Sequence, residues 1–473
     1  MNFNLLTSEI AAAVVGFALL ALSLILGKNC RRGIVGYATV AGLLILLGIT
    51  FGQYGVNAAG FYGTWMLDDY AVFMKQVFIV AALLVVLTGM DFVNGLADNR
   101  NEFYVLLVFA LFGMMGMASA SDLITLYVCL ETMTISFYVL VAYQLTSGKS
   151  SEAGLKYLIL GALSSAVILY GMSLIYGVTG TTVIAKMQAV GTPNAALLMG
   201  AVMLIAGFGF KIAAVPFHMW SPDIYEGAPT PITAFLAVAS KAAAFAALIR
   251  LLFGGLPLAI SYWLPILATI AGITMVIGNL VAIPQTSIKR MLAYSSIAQA
   301  GYMLVGLMAA DTAGVNGILF YSMIYAFANV GAFAVVIAVE KAAGSDDISE
   351  FGGLWKRAPL LGSVMTICLL SLAGIPPMAG FVGKLLLFSS IMDKGIYWPA
   401  YVGFVMSMIS VYYYLKVALV IWRDEPKDPQ PLAISALTRF AVITALIVTV
   451  ALGIYPTMLN DLSMAASRAL FKI

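Results

Sequence analysis

Apolar runs of about 20 residues recur along this chain, each closed by a short stretch of charge, glycine or proline. Each run is long enough to cross a hydrocarbon core of about 30 Å as a helix. The pattern predicts about fourteen spans, near 5–27, 33–51, 71–89, 102–119, 122–145, 152–177, 195–220, 229–254, 262–283, 290–309, 315–340, 359–393, 397–422 and 432–457. Two of them depart from the rest. The seventh carries Lys211 and then Pro216, Phe217, His218, Met219, Trp220, Ser221 and Pro222; the twelfth is overlong and interrupted by Gly374-Ile-Pro376-Pro377-Met-Ala-Gly380. Broken helices at matching places in two halves point to inverted repeats with a site at each break. Counting five spans per unit, spans 4–8 and 9–13 each put a broken helix fourth. The expected organisation is an N-terminal three-helix segment (1–101), a first five-helix repeat (102–254), a second (255–422), and a C-terminal helix and tail (423–473). The fold class is all-α polytopic membrane protein, because a spanning helix satisfies its own backbone in lipid.

Composition agrees with that environment. Of 473 residues, 62% are hydrophobic and 10% charged, against about 25% charged in a typical soluble domain. The net charge of +3 reflects topology more than binding, and nothing supports nucleic-acid contact. Loops after odd-numbered spans hold fourteen basic residues, among them Lys149, Lys156, Lys289, Arg290 and Lys341; the other side holds five, Lys186, Arg250, Lys394, Arg468 and Lys472. The positive-inside rule therefore places both termini on the non-cytoplasmic side. Ile10 to Gly27 is read as the first span rather than a cleaved leader, since its start is acidic and no small-residue cleavage signal follows. Cys30, Cys129 and Cys368 are scattered and suggest neither a zinc site nor an iron–sulfur cluster. No phosphate loop, dinucleotide fingerprint or nucleophile elbow is visible, so the chain itself is expected to bind neither nucleotide nor flavin.

Charges inside spans carry the chemistry, because each costs about 3 kcal/mol or more at bilayer depth. With Lys75 set aside as close to a span boundary, four lie deep: Glu131, Lys211, Lys241 and Lys384. Helical rise puts Lys211 and Lys241 at depths of about 14 and 18 Å, near enough to be neighbours. Burial and mutual repulsion turn such lysines from fixed cations into exchangeable proton sites. Glu131 would act as their counter-charge; the competing reading is a static ion pair between Glu131 and one lysine. Lys384 lies in a packed polar interior beside Pro376-Pro377, or else snorkels to the interface; Lys416 reads as a snorkel. His218, the one histidine, is either a relay group or the partner of a carbonyl freed at Pro216. Asp223 and Glu226 read as ordinary solvated residues.

Three segments resemble the antiporter-like membrane subunits of respiratory complex I: Phe208-Gly-Phe-Lys211 through Pro231 and on to Lys241, Gln285 to Tyr302, and Leu372 to Lys384. That resemblance covers nearly the whole chain. It implies fourteen helices with two inverted five-helix units, and a hydrophilic axis of Glu131, Lys211, Lys241 and Lys384 that moves protons. It implies that FMN, iron–sulfur clusters and quinone belong to partner subunits, this chain holding no cofactor or metal. The expected partners are the lipid bilayer and other membrane-arm subunits, with antiporter-like subunit M and small subunits K and J adjacent, in a bacterial inner membrane. Three alternatives stay open: a subunit of an Mrp-type cation/proton antiporter, the related subunit of a membrane-bound hydrogenase or of a dehydrogenase fed by ferredoxin or a deazaflavin coenzyme, and a structural spacer with static lysines.

Overall fold

The computed structural model describes residues 2–27, 33–96, 100–189 and 193–471; Cys30 lies outside them. Among these residues, twelve helices are long and apolar enough to cross a membrane. Two further apolar segments are each split in two, Ala195–Lys211 followed by Trp220–Gly227, and Pro359–Ala373 followed by Ala379–Met392. The splits fall where the sequence places spans 7 and 12.

Short polar residues set where the helices begin. The side chains of Asp68, Asp122, Asn194 and Asp311 each accept a hydrogen bond from a backbone N–H in the first turn of the helix that follows, which satisfies a donor that would otherwise be orphaned. Gly180 and Gly344 close the two 32-residue helices Gly148–Thr179 and Thr312–Ala343 in the left-handed conformation, a C-terminal role suited to a residue without Cβ.

Four spans, Asp69–Gly95, Thr230–Gly255, Ile288–Met308 and Thr312–Ala343, are buried almost throughout and form the centre of the molecule. The outer spans show apolar side chains such as Phe17, Ile25, Leu163, Met408 and Phe440 to their surroundings, as lipid-facing helices do. The central span Thr230–Gly255 contains two wide π-helical turns, Leu236–Ser240 and Arg250–Gly255. Such turns free backbone groups and recur at functional sites.

Two features were not legible in the hydropathy pattern. A two-stranded antiparallel hairpin, Ala58–Gly60 with Trp65–Leu67, fills the loop before the third span. The expected C-terminal tail is a helix, Thr457–Leu470, tied to the central Thr312–Ala343 helix through Asn316, which donates to Asn460 and accepts from Ser463. Its apolar residues cover only one face, so no continuous run announces it.

Candidate functional site

The second break is made by proline. In a continued helix the carbonyls of Leu372 and Ala373 would accept from residues 376 and 377, but Pro376 and Pro377 have no N–H to give. Side chains take their place. The Gln299 amide donates to the Leu372 carbonyl at 3.0 Å, and the Lys384 ammonium donates to the Ala373 carbonyl at 2.9 Å and to Ser407 Oγ at 2.9 Å. Lys384 also lies 4.5 Å from the Tyr302 ring centre and is 4% exposed. The snorkelling alternative is thereby excluded. Gly374 turns the chain at the break with φ +84°, and a Cβ there would meet the Lys384 side chain at 2.9 Å. Glycine is thus needed both for the backbone turn and for the approach of the ammonium stem.

Lys211 is the last residue of its half-helix. The depth expected from helical rise therefore fails beyond it, because the chain from Ile212 to Met219 is unwound, with Ala213 at φ +58°. The Lys211 ammonium donates to Thr134 Oγ1 at 3.3 Å and Ser165 Oγ at 3.4 Å. Thr134 lies one turn after Glu131 on the Leu123–Val141 helix. Glu131 is near enough for its charge to act on Lys211, yet its Oε1 is buried without a hydrogen-bond partner. Among the described residues no salt bridge joins Glu131 to a lysine, so the static pair is replaced by a carboxylate held close and left uncommitted.

Lys241 follows the first wide turn directly and donates to the carbonyl (3.0 Å) and hydroxyl (2.6 Å) of Ser296. Lys211 and Lys241 have separate hydrogen-bond partners. A run of aromatic rings connects them. Lys211 lies 5.9 Å from the ring of Phe210, Phe210 packs on Trp220 at 5.2 Å, Trp220 meets Tyr225 edge-on at 6.1 Å, and Tyr225 lies 5.9 Å from Lys241. Ring faces attract cations without supplying a neutralising charge.

From Lys241 onward the connection is polar. Ser296 lies one turn before Gln299 on the Ile288–Met308 helix, and a small internal cavity is lined by Lys241, Ser296, Gln299, Ser322 and Tyr325. Gln299 accepts from the Tyr321 hydroxyl and donates to Tyr414, which pairs with Ser295. Since Gln299 also holds the Leu372 carbonyl, next to the Ala373 carbonyl that holds Lys384, one amide lies between the two lysines. Sequence reasoning missed Ser296, Gln299, Tyr321 and Tyr414. The signal available for Gln299 was the proline pair, which orphans two carbonyls and calls for two buried donors, of which Lys384 is one.

His218 is half-buried, with its Nδ1 shielded and lacking a well-formed hydrogen bond. A carbonyl at the end of the half-helix, that of Phe210, is taken by the Trp220 indole N–H at 2.8 Å. Asp223 and Glu226 are not simple solvated residues. They sit on the short Trp220–Gly227 helix within an ionic cluster: Lys156 and Arg290 bond Asp223 at 3.0 Å each, Arg290 bonds Glu226 at 2.9 Å, and Lys149 bonds it at 3.2 Å. Burial pushes both carboxyls up, but those hydrogen bonds and charges outweigh it and hold them below the usual carboxylate range.

Other buried charges were also missed. Lys75, set aside as near a boundary, is fully buried and pairs with Glu9 at 2.5 Å. Arg250, counted as a loop residue, is buried too: its guanidinium grips Asp68 with two bonds of 2.9 and 3.0 Å and donates to the Ala118 carbonyl. These partners are far apart in sequence, so periodicity could not pair them. Both acids are committed to their own cations, which leaves Lys241 and Lys384 without a carboxylate among the described residues. No group of three or more His, Cys, Asp or Glu side chains there is placed to hold a metal.

Comparison with known proteins places the chain in a family. The family model described as "NADH:quinone oxidoreductase/Mrp antiporter, TM" matches residues 120–410. The NADH-quinone oxidoreductase subunit N of Heliobacterium modesticaldum is 61% identical over 472 residues, covering 100% of both chains. That of Desulforamulus reducens is 50% identical, covering 100% of this chain and 99% of the relative. Among solved structures, a chain of respiratory complex I from Thermus thermophilus with bound aureothin is 34% identical, with a TM-score of 0.83 over 96% of this chain and 98% of that one. A chain of the Mrp complex from Dietzia shares the fold at 23% identity, with a TM-score of 0.84 over 99% of this chain and 96% of that one.

Proposed function

The chain belongs to the NADH:quinone oxidoreductase/Mrp antiporter transmembrane family, within the group of subunit N relatives, and from that premise we infer that it is a proton-translocating membrane subunit of an NADH-quinone oxidoreductase. The observation that carries the proton role is three buried ammonium groups, Lys211, Lys241 and Lys384, two at helix breaks and one at a wide turn, with no salt-bridged carboxylate among the described residues. Cations held by hydroxyls and carbonyls alone are poorly compensated, which suits sites that release and rebind a proton.

Glu131 sets the charge state of Lys211 by moving toward or away from it. Lys241 receives the proton, the Ser296–Gln299 link carries it on, and Lys384 passes it to the outer side. His218, next to the first break, is a candidate relay group rather than an assigned one. The two broken segments are the matching members of two inverted five-helix units, 102–254 and 255–422, flanked by 1–101 and 423–473. The basic-residue asymmetry orients both termini to the non-cytoplasmic side of a bacterial inner membrane. FMN, iron–sulfur centres and quinone chemistry belong to other subunits, with subunits M, K and J as neighbours, and this chain does no redox chemistry itself.

Purification of the tagged chain in mild detergent tests the assignment. Flavin- and iron–sulfur-containing proteins should copurify with NADH-quinone reductase activity. Recovery of a sodium/proton-exchanging complex without them would establish the antiporter reading instead.

A further inference from the structure

A cavity of about 540 Å³ opens at one end of the molecule. Its walls come from the ends of Asp69–Gly95 and Thr312–Ala343 and from the segments around Lys149, Gly227 and Lys289, all of which follow odd-numbered spans. This is the face that the basic residues assign to the cytoplasm. Four carboxylates (Asp91, Glu226, Glu340, Asp346) stand against three lysines (Lys149, Lys289, Lys341). With acids in the majority, the cavity suits protons better than anions.

At its wall lies a small constellation unlike the surface pairs around it. Glu340 accepts from the hydroxyl of Thr230, the first residue of the central span Thr230–Gly255. Its other oxygen is paired at 3.5 Å with Lys289, which is 4% exposed and also donates to the Ala228 carbonyl at 3.2 Å. Glu340 is near the C-terminal end of its own helix, where the macrodipole disfavours an anion, so helix stability does not explain a carboxylate here. One turn below Thr230, the Thr233 hydroxyl donates to the Tyr225 carbonyl. The ring of Tyr225 lies beside Lys241. The distance from Thr230 to Lys241 is about 16 Å at helical rise. At the end nearest Lys241 the buried hydroxyl groups of Ser221, Tyr225 and Tyr325 make no well-formed hydrogen bond, with Tyr225 in reach of Ser221 and Ser296 and Tyr325 in reach of Ser296. Buried polar atoms of this kind are normally joined by ordered water.

We propose that this vestibule is the proton inlet of the chain, with Glu340 as the carboxylate that collects the proton and Thr230, Thr233 and the Tyr225 hydroxyl, bridged by water, as the route to Lys241. The inference rests on the reading of Lys241 as a proton site. At each step one O–H bond breaks and one forms: a hydronium from bulk water protonates Glu340, which then donates to Thr230 Oγ1 as that hydroxyl turns and passes its own proton to the next water, and the neutral amine of Lys241 takes up the proton at the end, forming an N–H bond.

The test uses the assembled complex in membrane vesicles with Glu340→Gln, which keeps the size of the side chain and one accepting oxygen but removes its charge, and Glu340→Asp. Proton pumping in Glu340→Gln should slow by about tenfold, below the usual gain from a positioned proton-transfer group because other carboxylates line the cavity. Added formate, small enough to enter, should restore part of the rate in Glu340→Gln and do nothing to the wild type, and Glu340→Asp should pump nearly normally. A purely structural role would give slow pumping that formate does not restore, and that result overturns the proposal. So does wild-type pumping in Glu340→Gln. If Lys241→Met fails to pump while Glu340→Gln is normal, the inlet is wrong and the relay stands; if both pump normally, both fall.

Discussion

Replacing Gln299 with leucine probes the link between the two lysines of the second half. The amide makes three hydrogen bonds, donating to the Leu372 carbonyl and the Tyr414 hydroxyl and accepting from Tyr321. Tyr414 keeps Ser295 as a partner, but the Leu372 carbonyl and the Tyr321 hydroxyl lose the partner that holds them. Each buried polar group left unsatisfied costs about 1–3 kcal/mol, so about 2–6 kcal/mol is at stake. If only about 2 kcal/mol of this reaches the barrier to proton passage, transfer slows about 30-fold. Gln299→His, which retains one donor and one acceptor, should recover most of the rate. The assay is NADH-driven quinone reduction with simultaneous dye-quench measurement of the proton gradient in inverted vesicles, normalised to complex content. Wild-type pumping in Gln299→Leu at normal complex content would refute the reasoning, as would equal damage in the leucine and histidine variants.

Two further outcomes concern stability. Arg250→Met leaves Asp68 buried without its cation and should destabilise the purified complex by about 3–5 kcal/mol; adding Asp68→Asn, which can still cap Ala71, should recover much of it in a thermal melt, and additive losses would show that the pair is not coupled. Asp223 and Glu226 have lowered folded values, so their contribution is fully present above the ordinary carboxylate range of about 4 and is lost as pH falls through the folded values. Thermal midpoints taken from neutral pH downward should therefore fall less in Asp223→Asn/Glu226→Gln than in the wild type, and parallel curves would contradict the sign.

The spans and the two breaks were legible because hydropathy and proline act locally: twenty apolar residues or a Pro376-Pro377 pair have the same consequence whatever lies beside them. The three lysines were legible for a related reason, since an ammonium in an apolar run is conspicuous without knowledge of its partners. What surrounds them was not. Asp68 reads as a loop acid and Arg250 as a loop base until the fold brings residues 182 positions apart into contact. Gln299 reads as one polar residue in a moderately apolar helix, and only the Leu372 carbonyl gives it a role. The Lys211 depth failed because rise per residue presumes a continuous helix, whereas the helix ends at Lys211 itself. Trp220, whose indole N–H takes the Phe210 carbonyl at the end of the half-helix, was missed for the same reason.

The central claim is that Lys211 exchanges a proton under the influence of Glu131. Its most direct test is the Lys211→Ala variant of the assembled complex, with the ratio of protons pumped to electrons transferred measured at normal complex content. The expected result is a marked fall in pumping together with slowed quinone reduction. Unchanged quinone reduction at an unchanged proton-to-electron ratio would contradict the relay.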